Sequence, residues 1–215
     1  MKIEMGESLF NSWLRHVKEC QIVQNSWKIS PSWKLQHETD LFSLMQAADQ
    51  LFSAKYNYSI FKKNSSLFQI LRQGECDVIG ISLQNGLSHI YAVDVAFHES
   101  GLQYGNRPET VMKVVAKIIR TAMCLWGYMG CKEGEIIFAS PKITSAVLKD
   151  ILPCVEDINN IFTDNGFRFK ASIVANSDFH HFILRPILEM SGNVADTSEL
   201  FMRSYQLYHM FTNNK

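Results

Sequence analysis

Between Glu75 and Phe97 the chain abandons helical spacing for two alternating runs, ECDVIGISL and HIYAVDVAF, separated by Gln84-Asn85-Gly86. Segments rich in Val, Ile and Tyr that meet at an Asn-Gly signal read as a hairpin of core strands. Such strands must be covered, which commits the chain to helices packed on a sheet.

The covers are legible on either side. Glu4 to Cys20 places Leu9, Phe10, Trp13, Leu14 and Val17 at helical spacing, an amphipathic first helix. Gln21 to Asp40, with Trp27, Pro31 and Trp33 among polar residues, reads as an irregular connection or short strand, and Asp40 is a candidate cap. Leu41 to Phe52 is a second helix, and Ser65 or Ser66 opens a third that ends at Gly74. After the hairpin, a loop at Ser100 to Pro108 leads into a long helix, Glu109 to Met129, closed by a glycine-bearing stretch. A strand at Glu135 to Ala139 follows.

Ser145 to Asn165 is helical with an interruption expected at Pro153, and Asn165-Gly166 turns the chain into a strand at Phe167 to Ala175. Phe179 to Leu184 is either a further strand, with His180 and His181 as an edge pair, or the start of the last helical part. Asp196 to Phe211 is a closing amphipathic helix. The expectation is one α/β domain: an N-terminal helical layer over 1–73, an α/β core over 74–175 and a C-terminal extension over 176–215.

Composition narrows the function. A chain of 215 residues, 47% hydrophobic and 20% charged, can bury a large core and is not a disordered tail protein. Its 21 basic and 21 acidic side chains cancel, so no bulk positive field draws it to nucleic acid or anionic lipid. The most apolar stretch, Val111 to Met129, is broken by Lys113, Lys117 and Arg120, which argues against a membrane span. The acids in MKIEMGES do not suit a signal peptide, making the cytoplasm the expected location. The five scattered cysteines show no metal-binding or disulfide spacing.

Chemistry enters with acids in core strands. Alternation sets Asp94, Ala96 and His98 on one face of their strand, and Glu75 and Asp77 together on one face of the preceding strand. A carboxylate amid Val and Ile costs several kcal/mol unless it is paired, hydrogen-bonded or bound to a cation. Two on adjacent strands repel, and a divalent metal removes both penalties.

The order of helix, strand with an acid near its start, hairpin into a strand with a second acid, long helix and strand resembles the αβββαβ core of the PD-(D/E)XK, or restriction-endonuclease-like, nucleases. The resemblance covers about residues 65 to 175 and implies a central mixed sheet flanked by helices. Asp77 matches the family's first acid, Asp94 its second, and Glu7 the acid that many members carry on the first helix. Cys76 stands in place of the proline before the first acid, and Ala96 in place of the motif lysine. The resemblance implies Mg²⁺ or Mn²⁺ held by Asp77, Asp94 and Glu7, and hydrolysis of DNA phosphodiester bonds.

An alanine cannot position or polarise water, so the lysine function needs another source. In some members it has moved to the following helix, where Lys113, Lys117 and Arg120 fall within about 60° of one another at 100° per residue, opposite Val114, Val115, Ile118 and Ile119. His98 is the other candidate, as base or ligand. If neither supplies the function, the chain is a binding or assembly module on the same fold. A solvated helix face for the lysines and ordinary strand-end roles for the acids are the plainer readings.

A second basic feature supports a phosphate partner: Lys55, Lys62, Lys63 and Arg72 lie in an acid-free stretch interleaved with Phe52, Tyr56, Tyr58, Phe61 and Phe68. With no net charge, binding to DNA is expected to be weak unless a partner or a second subunit, as in a homodimer, adds basic surface.

Overall fold

The computed structural model describes residues 5–62, 64, 66–84, 86–195 and 197–212. Five strands form one sheet in the order β1-β2-β3-β4-β5. They are β1 (Ile22–Lys28), β2 (Glu75–Gln84), β3 (Leu87–Val95), β4 (Glu133–Ser140) and β5 (Arg168–Ala175). The first three run antiparallel in a meander, while β4 lies parallel to β3 and β5 parallel to β4. The two parallel steps are bridged by helices α4 (Arg107–Met129) and α5 (Ser145–Asp164), as a crossover between parallel strands requires. The result is a mixed α/β sheet flanked by helices.

Alternation along the central strands feeds two apolar layers. Ala92, Ile136 and Phe138 face one way, onto α4, α5 and α2 (Glu38–Tyr56), whose Leu41, Leu44 and Phe52 are fully buried there. Val93, Ile137 and Ala139 face the other way, onto Leu9, Phe10, Trp13 and Leu14 of α1 (Met5–His16). The same layer takes in the C-terminal helical segments, through Phe179, Ile183, Ile187 and Met202.

Several boundaries follow from identifiable local chemistry. Helix α4 starts two residues earlier than its apolar pattern, because Asn106 and Glu109 form a capping box ahead of Pro108. It stops at Gly130, whose φ of 68° is left-handed. The Ser66 side chain caps α3 (Leu67–Leu71) by accepting from the Gln69 N–H at 3.4 Å. Ser65, the alternative cap, lies outside the described residues, as do Glu4, Asn85 and Asp196.

Other expectations are corrected. Of the two readings of residues 21–40 the short strand holds, and it alters the helical layer drawn over 1–73: β1 joins the sheet, so α1 and β1 belong to the core and α2 and α3 form an insertion between β1 and β2. Asp40 does not cap α2, which begins after His37; instead it ion-pairs with Lys132 at 3.1 Å. Pro153 does not interrupt α5, which runs through it.

Residues 176–190 are helical and not a strand: α6 (Asn176–Asp178), a π-helical turn (Phe179–Leu184) and α7 (Arg185–Met190) follow one another directly. His180 and His181 therefore sit on that turn with their rings edge-on, 5.1 Å apart between centroids, and form no sheet edge. The last helix, α8, is Leu200–Thr212. No described helix is long and apolar enough to cross a membrane.

Candidate functional site

The antiparallel register of β1 and β2 pairs Asn25 with Val78 and Trp27 with Cys76, leaving Ser26 opposite Asp77. Both strands break alternation there: Val78 packs on the α1 side and Cys76 on the α4 side, and Ser26 takes a left-handed φ of 50°. Such a break re-aims a side chain at the end of a sheet. It separates Glu75 from Asp77, which were expected on one face. Glu75 turns to Lys28 at 2.8 Å, whereas Asp77 Oδ2 accepts the Val95 N–H at 2.6 Å.

That bond carries Asp77 to the residue after Asp94. Asp94 is 2% exposed and faces α4, where Lys117 Nζ donates to Oδ1 at 3.1 Å and Thr121 Oγ1 donates to Oδ2 at 3.3 Å. Burial pushes the Asp94 carboxyl up, with Lys117 and Thr121 pulling the other way. Asp77 is raised to about 6, first by burial and next by the charge of Asp94. For Lys117 burial favours the neutral amine, but Asp94, Asp77 and Tyr104 together outweigh it and hold the ammonium above its ordinary value. The two acids are thus electrostatically coupled across β2 and β3, with one lysine facing both.

Ala96, where the resemblance expects a lysine, is 3% exposed and lies in the apolar layer beneath α4. Lys117 reaches the same carboxylate from the helix side. Lys113, the other helix candidate, does not: its Nζ donates to the Tyr104 carbonyl at 2.6 Å. His98 falls beyond the end of β3 and stacks edge-on to Tyr104 at 5.3 Å; no hydrogen bond among the described residues joins it to Asp94 or Asp77.

Glu7 projects from α1 toward this end of the sheet. Its Oε2 accepts from Ser26 Oγ at 3.1 Å, and its charge adds to the upward pressure on Asp77. Among the described residues no three His, Cys, Asp or Glu side chains form a ready-made metal cluster. Asp77 and Asp94 offer carboxylate oxygens, the donor type that hard cations take, and both oxygens of Asp94 already accept from protein groups.

The second basic feature separates into parts. Lys55 is committed to Asp157 at 2.8 Å, which also accepts from the Tyr56 hydroxyl at 2.6 Å. Arg72 lies over the Phe68 ring, 4.7 Å from its centroid. Lys63 lies outside the described residues. Phe52 and Phe61 are buried and Tyr56 and Tyr58 stack within the α2 layer, so most of the interleaved aromatics are core and not platforms for bases. Lys62 lines a cleft shared with Lys113, Lys117 and Arg120.

Three contributors escaped the sequence reading. Thr121 lies four residues after Lys117, hence on the same helix face, and that spacing was a usable signal. Ser26, which holds Glu7, and Tyr104, which receives Lys113, had none, because both depend on loop and edge-strand geometry. Compared with protein families, curated proteins and solved structures, the chain finds no match.

Proposed function

We propose that the protein is a divergent restriction-endonuclease-like nuclease that hydrolyses DNA phosphodiester bonds with Mg²⁺ or Mn²⁺. The observation that carries this reading is the contact of Lys117 with Asp94 beside a buried Ala96: a cation is restored to the acid pair from α4 where the strand lacks it. The order α1, β1, β2, β3, α4, β4 also supports it, since it follows αβββαβ once α2 and α3 are taken as an insertion.

In this reading the Asp77 and Asp94 carboxylates would hold the cation, with Glu7, anchored by Ser26 at 3.1 Å, adding a third acid. The metal, when bound, polarises a phosphoryl oxygen and acidifies water. Lys117, kept protonated by the two acids, offsets negative charge that develops on the phosphate in the transition state. Thr121 fixes the Asp94 rotamer so that the other oxygen stays with Lys117. Lys113 and His98 make no contact with the acid pair among the described residues and have no part in the bond-breaking step.

One observation favours a second reading. Both oxygens of Asp94 have protein partners, which is what a non-catalytic module with a structural ion pair would also display. Incubation with supercoiled and linear DNA in Mg²⁺ or Mn²⁺ separates the two. The nuclease reading expects cutting that stops with EDTA, with Asp94→Ala and with Lys117→Ala. Absence of cutting by the wild-type protein, or cutting that survives in Asp94→Ala, refutes it.

A further inference from the structure

The insertion between β1 and β2 and the basic stripe of α4 enclose a cleft of about 380 Å³. Among the described residues four cationic side chains line it, Lys62 from the insertion and Lys113, Lys117 and Arg120 from α4, and no acid does. Arg120 buries its Nε with no acceptor among the described residues, and burial lowers its pKa. A half-buried guanidinium with one donor unmet among the described residues favours an anion beside it.

The remaining walls are of another kind. Phe61, Tyr104 and Met112 give an apolar flank, and the Asn64 and Gln73 amides offer donors and acceptors. Charge on one side and apolar surface with amides on the other match a phosphate joined to a flat, hydrogen-bonding ring. The volume is that of a small-ligand site, for which about 300–1,000 Å³ is usual; a duplex does not enter it.

We infer that this cleft takes one unpaired nucleotide of a DNA strand, with its phosphate on Lys62, Lys113 and Arg120 and its base between Tyr104 and Met112. Lys117 belongs both to the cleft and to Asp94, so a nucleotide seated here leads its strand directly to the acid pair. The inference deepens the nuclease reading and rests on it for the identity of the polymer. It assigns the specificity wall to the α2–α3 insertion and gives the protein a preference for single strands, flaps or frayed ends.

The test measures binding without cleavage. Fluorescein-labelled oligo(dT) is titrated into the protein in EDTA at low salt and followed by anisotropy, with duplex of equal length, thymidine monophosphate and inorganic phosphate as competitors. Expected are at least about tenfold tighter binding of single strand than duplex, and displacement by thymidine monophosphate at lower concentration than phosphate. Lys62→Glu should weaken the strand about tenfold with unchanged melting temperature, and Lys113→Glu, which also gives up the bond to the Tyr104 carbonyl, should weaken it about tenfold at a temperature where it is fully folded.

Equal duplex binding, equal displacement by phosphate, or charge reversals without effect overturn the inference. The two readings fail separately. Strand binding with these signatures but no metal-dependent cutting leaves the cleft assigned and removes the nuclease. Asp94-dependent cutting with strand binding indifferent to Lys62→Glu does the reverse.

Discussion

Replacing Asp77 by Asn should stabilise the protein, and only where Asp77 is ionised. The exchange keeps the side-chain oxygen that accepts the Val95 N–H at 2.6 Å and removes the charge that burial and Asp94 oppose. Asp77 is raised from 3.8 to about 6, and at about 1.4 kcal/mol per unit this is about 3 kcal/mol of native-state penalty. Below the unfolded value the carboxyl is neutral in both states and the penalty is absent. Between 3.8 and about 6 the unfolded chain releases its proton while the folded one keeps it, so the penalty accumulates over that window and is complete by pH 8.

For a chain of this size about 2–4 °C accompanies each kcal/mol, so Asp77→Asn should melt about 6–12 °C above wild type at pH 8 and level with it near pH 3.5. Differential scanning calorimetry of both proteins across that range is the assay. A gain that is absent at pH 8, or equal at both ends, would refute the claim that the acid pair is under electrostatic strain.

The remaining expectations concern the same region and its support. Mn²⁺ should raise the melting temperature of wild type and leave Asp77→Asn nearly unmoved, read by thermal shift at neutral pH. Lys117→Met should cost about 3–5 kcal/mol in urea unfolding, because Asp94, 2% exposed, loses its counter-charge; adding Asp94→Asn should recover most of the loss. Gly134→Ala should destabilise by more than about 1 kcal/mol in the same assay, since Gly134 has φ 146° and a Cβ there would meet the Ile90 carbonyl oxygen at 2.6 Å.

Much of the fold was legible because its strongest signals are local. The hairpin, the capped start of α3, the long α4 and the closing helices declare themselves by period and punctuation. Strand β1 was legible only as one of two alternatives, because IVQNSWK is an edge strand whose residues are mostly not buried and lacks the apolar run that marks a central strand; its place depends on pairing with β2 across the whole insertion. Phe179–Leu184 stayed open between strand and helix because FHHFIL is too short to display a helical period, and the π-turn decides for the helical alternative.

At the site, the acids were legible as acids in core strands, and the helix wheel placed Lys117 on the stripe that meets them. The wheel could not choose between Lys113 and Lys117, a choice made by the loop that offers the Tyr104 carbonyl to the first. His98 was misplaced because β3 ends at Val95, and strand parity has no meaning beyond that point. Lys55 looked free only because Asp157, its partner, is distant in sequence.

The insertion begins and ends at neighbouring points: Lys28, the last residue of β1, and Glu75, the first of β2, are register partners and joined by an ion pair of 2.8 Å. A segment whose two ends are clasped in this way can change length at small cost, about 0.6 kcal/mol for each doubling of a flexible loop, without shifting the strands that hold Asp77 and Asp94. The wall of the basic cleft can therefore be rewritten by evolution, or by a designer grafting another segment at Lys28 and Glu75, while the acid pair keeps its geometry.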